Sequence, residues 1–280
     1  MTPTIAEKRA HFAALHAAPG CFVMPNPWDV GSAKFLSSLG FKALASTSAG
    51  MAFAAGRPDN GVTRAYALKH IGELAAATDL PLNADFEAGF ARDPDGVHES
   101  ARLVIGAGVA GFSIEDYTGD PKAPFYSLNE SVARLNAARA AIDESGERVL
   151  LTARSECVWV AGGGGLAEAL RRLAAFAEAG ADVLFAPGVR TREDVAAVVR
   201  VAGKLPVNVV VGAPGLTRAE FEDLGVKRIS TGAALARAAW GGFMHAARDI
   251  AEHDRFDAFA GIPASKEIEA AFAADSKASG

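Results

Sequence analysis

The chain has 280 residues, 50% of them hydrophobic and 22% charged, with a formal net charge of -5. That balance supports a large buried core and excludes the basic patches that a nucleic-acid or membrane-surface binder needs. Two cysteines, Cys21 and Cys157, are too few for a disulfide framework or a structural zinc site, and no apolar run approaches the roughly 20 residues of a membrane span.

Residues 1–19 carry Glu7, Lys8 and Arg9 and read as a lead-in helix, with no signal peptide, so a cytoplasmic protein is expected. From there short apolar runs alternate with Ala- and Leu-rich stretches of helical period. Strands are predicted at 22–25, 43–47, 80–86, 111–115, 149–153, 183–186, 207–211 and 228–230. Helices are predicted over 31–39, 64–77, 97–107, 128–144, 166–179, 192–202 and 218–224, with a long one over about 233–252. Gly40, Gly108, Gly180, Gly203 and Gly225 each follow a helical stretch, where a left-handed residue is wanted. Asp95, Asn129 and Thr217 are candidate N-caps. Strict alternation predicts one α/β domain, a (β/α)8 TIM barrel over residues 1–280, with a C-terminal helical arm over about 241–280. An open doubly wound sheet is the structural rival, but six strands would suit it better and no G-x-G-x-x-G follows the first strand.

In such a barrel the chemistry sits at the C-terminal ends of the strands. Those ends carry Asn26, Trp28 and Asp29; Ser46, Thr47 and Ser48; Asp85 and Glu87; Glu115, Asp116 and Tyr117; Arg154, Ser155 and Glu156; and Asn208. Asp85 and Glu87 stand two apart on a predicted strand and should share a face, with Glu115 arriving from the next strand. Unit like charges about 5 Å apart repel by roughly 3 kcal/mol at an effective dielectric near 20. Three such groups therefore call for protons, a basic partner or a metal. Oxygen donors without a nearby His or Cys favour a hard cation, Mg²⁺ or alternatively Mn²⁺. Asp59 sits in Pro-Asp-Asn-Gly, which is also a turn signal.

Other polar residues read as ordinary. Cys21 and Cys157 read as packing groups, and the six histidines fall in helical stretches away from strand ends. Glycines 162–165 read as a mobile loop, since no Lys-Ser/Thr follows them. The Ser230-Thr231-Gly232 turn before a helix is a candidate phosphate site and supports a rival, a metal-free phosphate-binding barrel.

Taken in order, these strand ends resemble the isocitrate lyase / phosphoenolpyruvate mutase superfamily. The segments that carry the likeness are PNPWDVGSAKFLSSLGFKALASTSAG, GRPDNG, NADFEAGF, GFSIEDY, LTARSE, PVNVVVGAPG and GVKRISTGAAL, spanning about residues 21–240. The resemblance implies that Asp85, Glu87 and Glu115 hold Mg²⁺, with Asp59 reaching in through water. It implies that Ser46, Thr47 and Ser48 give hydroxyl and backbone N–H groups to substrate oxygens, and that Arg154 pairs with a substrate carboxylate. Asn208 would add a polar contact, and Trp28 and Asp29 would border the pocket. Arg154, Glu115 and Ser46 are the candidate catalytic residues. The resemblance also implies a homo-oligomer, a dimer or tetramer, that exchanges its last barrel helix.

The departures narrow the chemistry. The family's lyases carry a K-[KR]-C-G-H loop after strand four; here residues 117–126 contain no Cys or His, and Lys122 is the only basic group. Strand six ends in Ala186-Pro187-Gly188, where the lyases place an acid. The expected function is Mg²⁺-dependent cleavage of a C–C bond in a small 2-oxo or 2-hydroxy dicarboxylate resembling oxaloacetate. The alternatives are a phosphonopyruvate-type enzyme acting on a P–C bond and a 2-oxo acid binding protein with little turnover.

Overall fold

The computed structural model describes residues 2–276, so the expectations for Met1 and residues 277–280 lie outside the described residues. In chain order the elements are α1 (Ile5–Ala17), β1 (Phe22–Met24), α2 (Val30–Ser38), β2 (Leu44–Ala45), α3 (Ser48–Ala54), α4 (Arg64–Ala77), β3 (Leu82–Asp85), α5 (Pro94–Gly106), β4 (Gly111–Glu115) and α6 (Leu128–Ser145). There follow β5 (Leu150–Arg154), α7 (Gly165–Glu178), β6 (Val183–Phe185), α8 (Arg192–Ala202), β7 (Val207–Val210), α9 (Arg218–Asp223), β8 (Arg228–Ser230), α10 (Ala234–His253) and α11 (Ser265–Ser276). The strands pair in parallel in the order β1-β8-β7-β6-β5-β4-β3-β2. A backbone hydrogen bond from Ala45 N to Pro25 O, 3.1 Å, joins the two ends, and the sheet curls into the expected (β/α)8 barrel.

The period-two pattern sorts each strand's faces. On β4, Phe112 and Ile114 enter the apolar layer under the helices, while Ser113 and Glu115 line the barrel interior. Helix α1 closes the N-terminal mouth: Phe12, fully buried, packs on Met24, Ala43, Ala45 and Ala110. Gly111 admits it, since a Cβ there would stand 2.9 Å from the Phe12 ring. Arg9 ties the helix down by donating to Val109 O (3.0 Å) and Ile105 O (2.7 Å).

Several boundaries differ from the sequence reading. Asp93, not Asp95, caps α5, because Pro94 takes the first helical position, where its missing N–H costs nothing. Ser127, not Asn129, caps α6 through a reciprocal pair with Glu130, while Thr217 caps α9 as expected. Helix α3 falls where a loop was expected. Of the long α10 only Ala236 is buried, and beyond it the chain turns back so that α11 packs on α2. Among the described residues no helix is long and apolar enough to cross a membrane.

Candidate active site

A cavity of about 460 Å³ opens at the C-terminal ends of the strands. Ser46, Thr47, Ser48, Asp59, Asp85, Glu115, Arg154 and Asn208 line it, so eight predicted residues meet in one place. Its centre is Arg154, the last residue of β5. Nη1 stands 3.2 Å from Asp85 Oδ1 and 3.3 Å from Glu115 Oε2, and Nε donates to Glu156 Oε1. The guanidinium carbon lies 5.3 Å from the centre of the Phe185 ring. Three carboxylates outweigh the desolvation of one cation, and the guanidinium is held well above its ordinary pKa. Burial raises Glu115 well above the carboxylate range; Arg154 opposes that, while Glu156, Asp85 and Glu87 add to it.

Glu87 does not sit on a strand. β3 stops at Asp85, and Glu87 follows in a turn with φ 49°, so the two acids do not share a strand face as expected. Glu87 faces a smaller recess with Asn60, Phe90 and Tyr117. Its Oε1 is buried without a hydrogen-bond partner. Burial, then the charges of Asp85 and Asp59, push its carboxyl up to about 8. Asp59, at the cavity mouth, is raised for the same two reasons: displaced water first, Asp85 second.

Residues 12–251 match the model of the phosphoenolpyruvate phosphomutase family. The chain belongs to this family, within the isocitrate lyase / phosphoenolpyruvate mutase superfamily. The crystal structure of a candidate lyase/mutase from Burkholderia cenocepacia is 45% identical, with a TM-score of 0.91 over 96% of this chain and 97% of that one. Among relatives, an oxaloacetate decarboxylase of Paraburkholderia xenovorans is 31% identical over 69% of this chain and 65% of its own. A 2-methylisocitrate lyase of Bacillus subtilis is 27% identical over 78% and 73%.

The phosphomutase-family barrel of this chain corrects several expectations. Trp28 and Asp29 do not border the cavity. Asp29 caps α2, its Oδ1 accepting from Ser32 N at 2.7 Å, and both residues line a separate apolar groove with Phe35, Leu39, Leu235 and Phe272. Ser46 and Ser48 are already engaged by the protein. Ser46 N donates to Asn83 O, and its hydroxyl accepts from Asp85 N at 2.8 Å. Ser48 N and Oγ both donate to Asp85 Oδ2 at 3.0 Å, and the Thr47 hydroxyl caps Gly50 N. Ser46 and Ser48 thereby aim Asp85, and all three residues line the cavity. The candidate phosphate turn is also occupied, because the Thr231 and Gly232 N–H groups donate to Asn26 Oδ1 at 2.8 and 2.9 Å. That removes the observation behind the metal-free phosphate barrel.

The expected cluster of Asp85, Glu87 and Glu115 is not preformed. Among the described residues no three His, Cys, Asp or Glu side chains stand close enough to hold a metal ion. The Arg154 guanidinium lies between Asp85 and Glu115, and Glu87 faces the neighbouring recess. The chemistry of the donors still fits a hard cation. They are all oxygens, and the buried Glu87 Oε1 has no hydrogen-bond partner, which a hard cation would supply.

Strand-end residues to which the resemblance assigns no role also build the site. Glu156 holds Arg154. Asp116, 1% exposed, accepts from Ser155 Oγ (2.9 Å), Glu156 N (2.8 Å) and Arg172 Nη1 (3.2 Å), which fixes the end of β5. Arg172 also donates to Tyr126 O at 2.9 Å, anchoring the loop after β4. Tyr117 and Trp159 line the cavity mouth. Gly188, where the lyases carry an acid, has φ 98°, and a Cβ there would meet Val158 Cγ1 at 3.0 Å. Packing under the Trp159 segment explains the glycine. Lys122 is exposed and does not line the cavity.

Proposed function

We propose that this chain is a Mg²⁺-dependent carbon–carbon lyase or decarboxylase, with Mn²⁺ as an alternative ion, acting on a small 2-oxo or 2-hydroxy dicarboxylate resembling oxaloacetate. One observation carries the reading: a single guanidinium among three carboxylates at the C-terminal mouth of the barrel, beside Glu87, whose buried Oε1 has no hydrogen-bond partner. Asp85, Glu87 and Glu115, with Asp59 beside them, would hold the ion. When bound, a divalent cation withdraws electron density from the keto and carboxylate oxygens of a 2-oxo acid and favours the enolate left by bond cleavage.

The chain's own residues do the rest. Arg154 offers a planar fork to a substrate carboxylate, which competes with Asp85 and Glu115 for the same N–H groups. Phe185 backs that fork, its ring 5.3 Å from the guanidinium carbon. Ser48 holds Asp85 from the other side, so this acid keeps its place when Arg154 changes partner. Burial and four nearby carboxylates raise the Tyr117 hydroxyl, which stays protonated at neutral pH as an O–H donor at the mouth. Decarboxylation suits this set, since water can reprotonate the enolate, whereas a poorer carbanion would want a placed acid. The relationship to an oxaloacetate decarboxylase supports the same substrate class.

The test is pyruvate release from oxaloacetate, with a parallel panel of 2-methylisocitrate and phosphonopyruvate, before and after EDTA. EDTA-sensitive release from oxaloacetate supports the reading, and release only from phosphonopyruvate replaces it with P–C chemistry. Binding without release from any of them makes the chain a binding protein. The assembly is proposed as a homo-oligomer, a dimer or tetramer that exchanges α10. Trp240, Phe243 and Met244 on that helix are 37%, 62% and 39% exposed, an apolar face that a second copy would cover.

A further inference from the structure

The cavity is lined by a second guanidinium, below the acidic mouth. Arg228 opens β8 and points inward, 1% exposed, yet it lines the same cavity. Every partner it has is neutral. Nε donates to Asn208 Oδ1 at 2.9 Å, Nη2 to Thr152 Oγ1 at 2.9 Å, and Nη1 stands 3.2 Å from His16 Nε2 and 3.5 Å from Asn83 Oδ1. His16 is the neutral tautomer that this requires. Its Nδ1 faces Phe12 O, which can only accept, and burial with the charge of Arg228 lowers its pKa to about 3.

Among the described residues no carboxylate pairs with Arg228. Burial alone perturbs it, lowering its pKa to about 9, so the guanidinium remains charged at neutral pH. A charge taken out of water without a counter-ion destabilises a fold, and natural chains seldom keep one without use. The mouth presents the opposite case, with Arg154 outnumbered by acids. The cavity therefore runs from a carboxylate-rich mouth to a positive floor.

We propose that Arg228 is the specificity determinant that selects ligands with a second anionic group, drawing that group to the cavity floor. This rests on the 2-oxo or 2-hydroxy acid reading given above and names the residue that reads the far end of the ligand. Arg228 acts in two ways. Its charge, itself 1% exposed, acts on the cavity it lines. It also orients Asn208: with Oδ1 taken by Nε of Arg228, the amide turns Nδ2 outward, one hydrogen going to Ser230 Oγ at 3.1 Å and the other left to donate. Direct contact with the anionic group falls to Asn208 and its neighbours, and Arg228 is the positioning charge behind them.

The experiment compares lactate with malate, which differ by one carboxylate on C3, by calorimetry on the Mg²⁺-loaded protein. Wild type is expected to bind malate at least about tenfold more tightly, the scale of one partly shielded charge. Arg228→Met should bring that ratio close to one while leaving lactate binding nearly unchanged, and Arg228→Lys should keep part of it. Arg228→Met that folds and keeps the ratio overturns the proposal, as does equal loss of both ligands. Should Arg228→Met not fold, a crystal of wild type with malate decides: the second carboxylate beside Asn208 at the floor supports the proposal, and that carboxylate anywhere else overturns it. The two readings fail separately. Malate preference without turnover of oxaloacetate contradicts the proposed function alone, and turnover without the preference contradicts Arg228 alone.

Discussion

Arg154 Nη1 lies 3.2 Å from Asp85 Oδ1, and the opposite oxygen of that carboxylate takes two hydrogen bonds from Ser48. Asp85 is thus fixed on one side by α3 and on the other by a charge that a substrate could draw away. If a divalent ion and Arg154 compete for Asp85 and Glu115, removing the guanidinium should strengthen metal binding while slowing turnover. Arg154→Gln is expected to lower the rate by about 10²–10³-fold, the scale of losing a preorganised charge. Its Mg²⁺ affinity by calorimetry should rise. An unchanged affinity would show that the two cations do not share these carboxylates.

The acidic groups make stability depend on pH in a stated direction. Glu87 titrates at about 8 in the folded chain against an ordinary value of 4.5, so the folded form keeps a proton that the unfolded form releases. The contribution is full below 4.5 and is lost as pH rises through about 8. In EDTA the melting temperature should fall across that window. Glu87→Gln, permanently neutral, should flatten the fall without abolishing it, because Glu115 and Asp59 are raised as well. A melting profile with the wild-type slope would contradict this.

Asp116 reaches no substrate in this account, yet it ties Ser155, Glu156 and Arg172 together. Asp116→Ala should cost about 3–5 kcal/mol in chemical denaturation, as for one partner removed from a buried ion pair. Asp116→Asn, which can still accept from Glu156 N, should recover part of that.

The apolar face of α10 predicts self-association. Sedimentation should show a dimer or tetramer, and Trp240→Glu with Phe243→Glu should shift it to a smaller species. A wild-type monomer at assay concentration would rule out the exchange of α10.

The β4 and β8 boundaries were legible residue for residue, because alternating inward and outward side chains leave a period of two in the sequence. So were the strand ends that build the cavity. The error at Glu87 has a local cause: its positive φ breaks the period, and nothing in Asp-Phe-Glu announces a left-handed glutamate. Asp29 could have been read correctly. Asp29-x-x-Ser32 before a helix is a capping pattern, which places Asp29 at a helix start and away from the pocket. The short spacing of Arg154 and Glu156 is a similar signal of their ion pair. Arg228 and His16 meet at 3.2 Å from positions 212 residues apart, a contact that only closure of the barrel creates.

The most direct test is a crystal soaked with Mn²⁺ and pyruvate, with the ion located by its anomalous scattering. A peak bounded by the carboxylates of Asp85 and Glu115 is expected, with Arg154 turned toward the pyruvate carboxylate. A map without that peak, with Arg154 still bound to both acids, would contradict this.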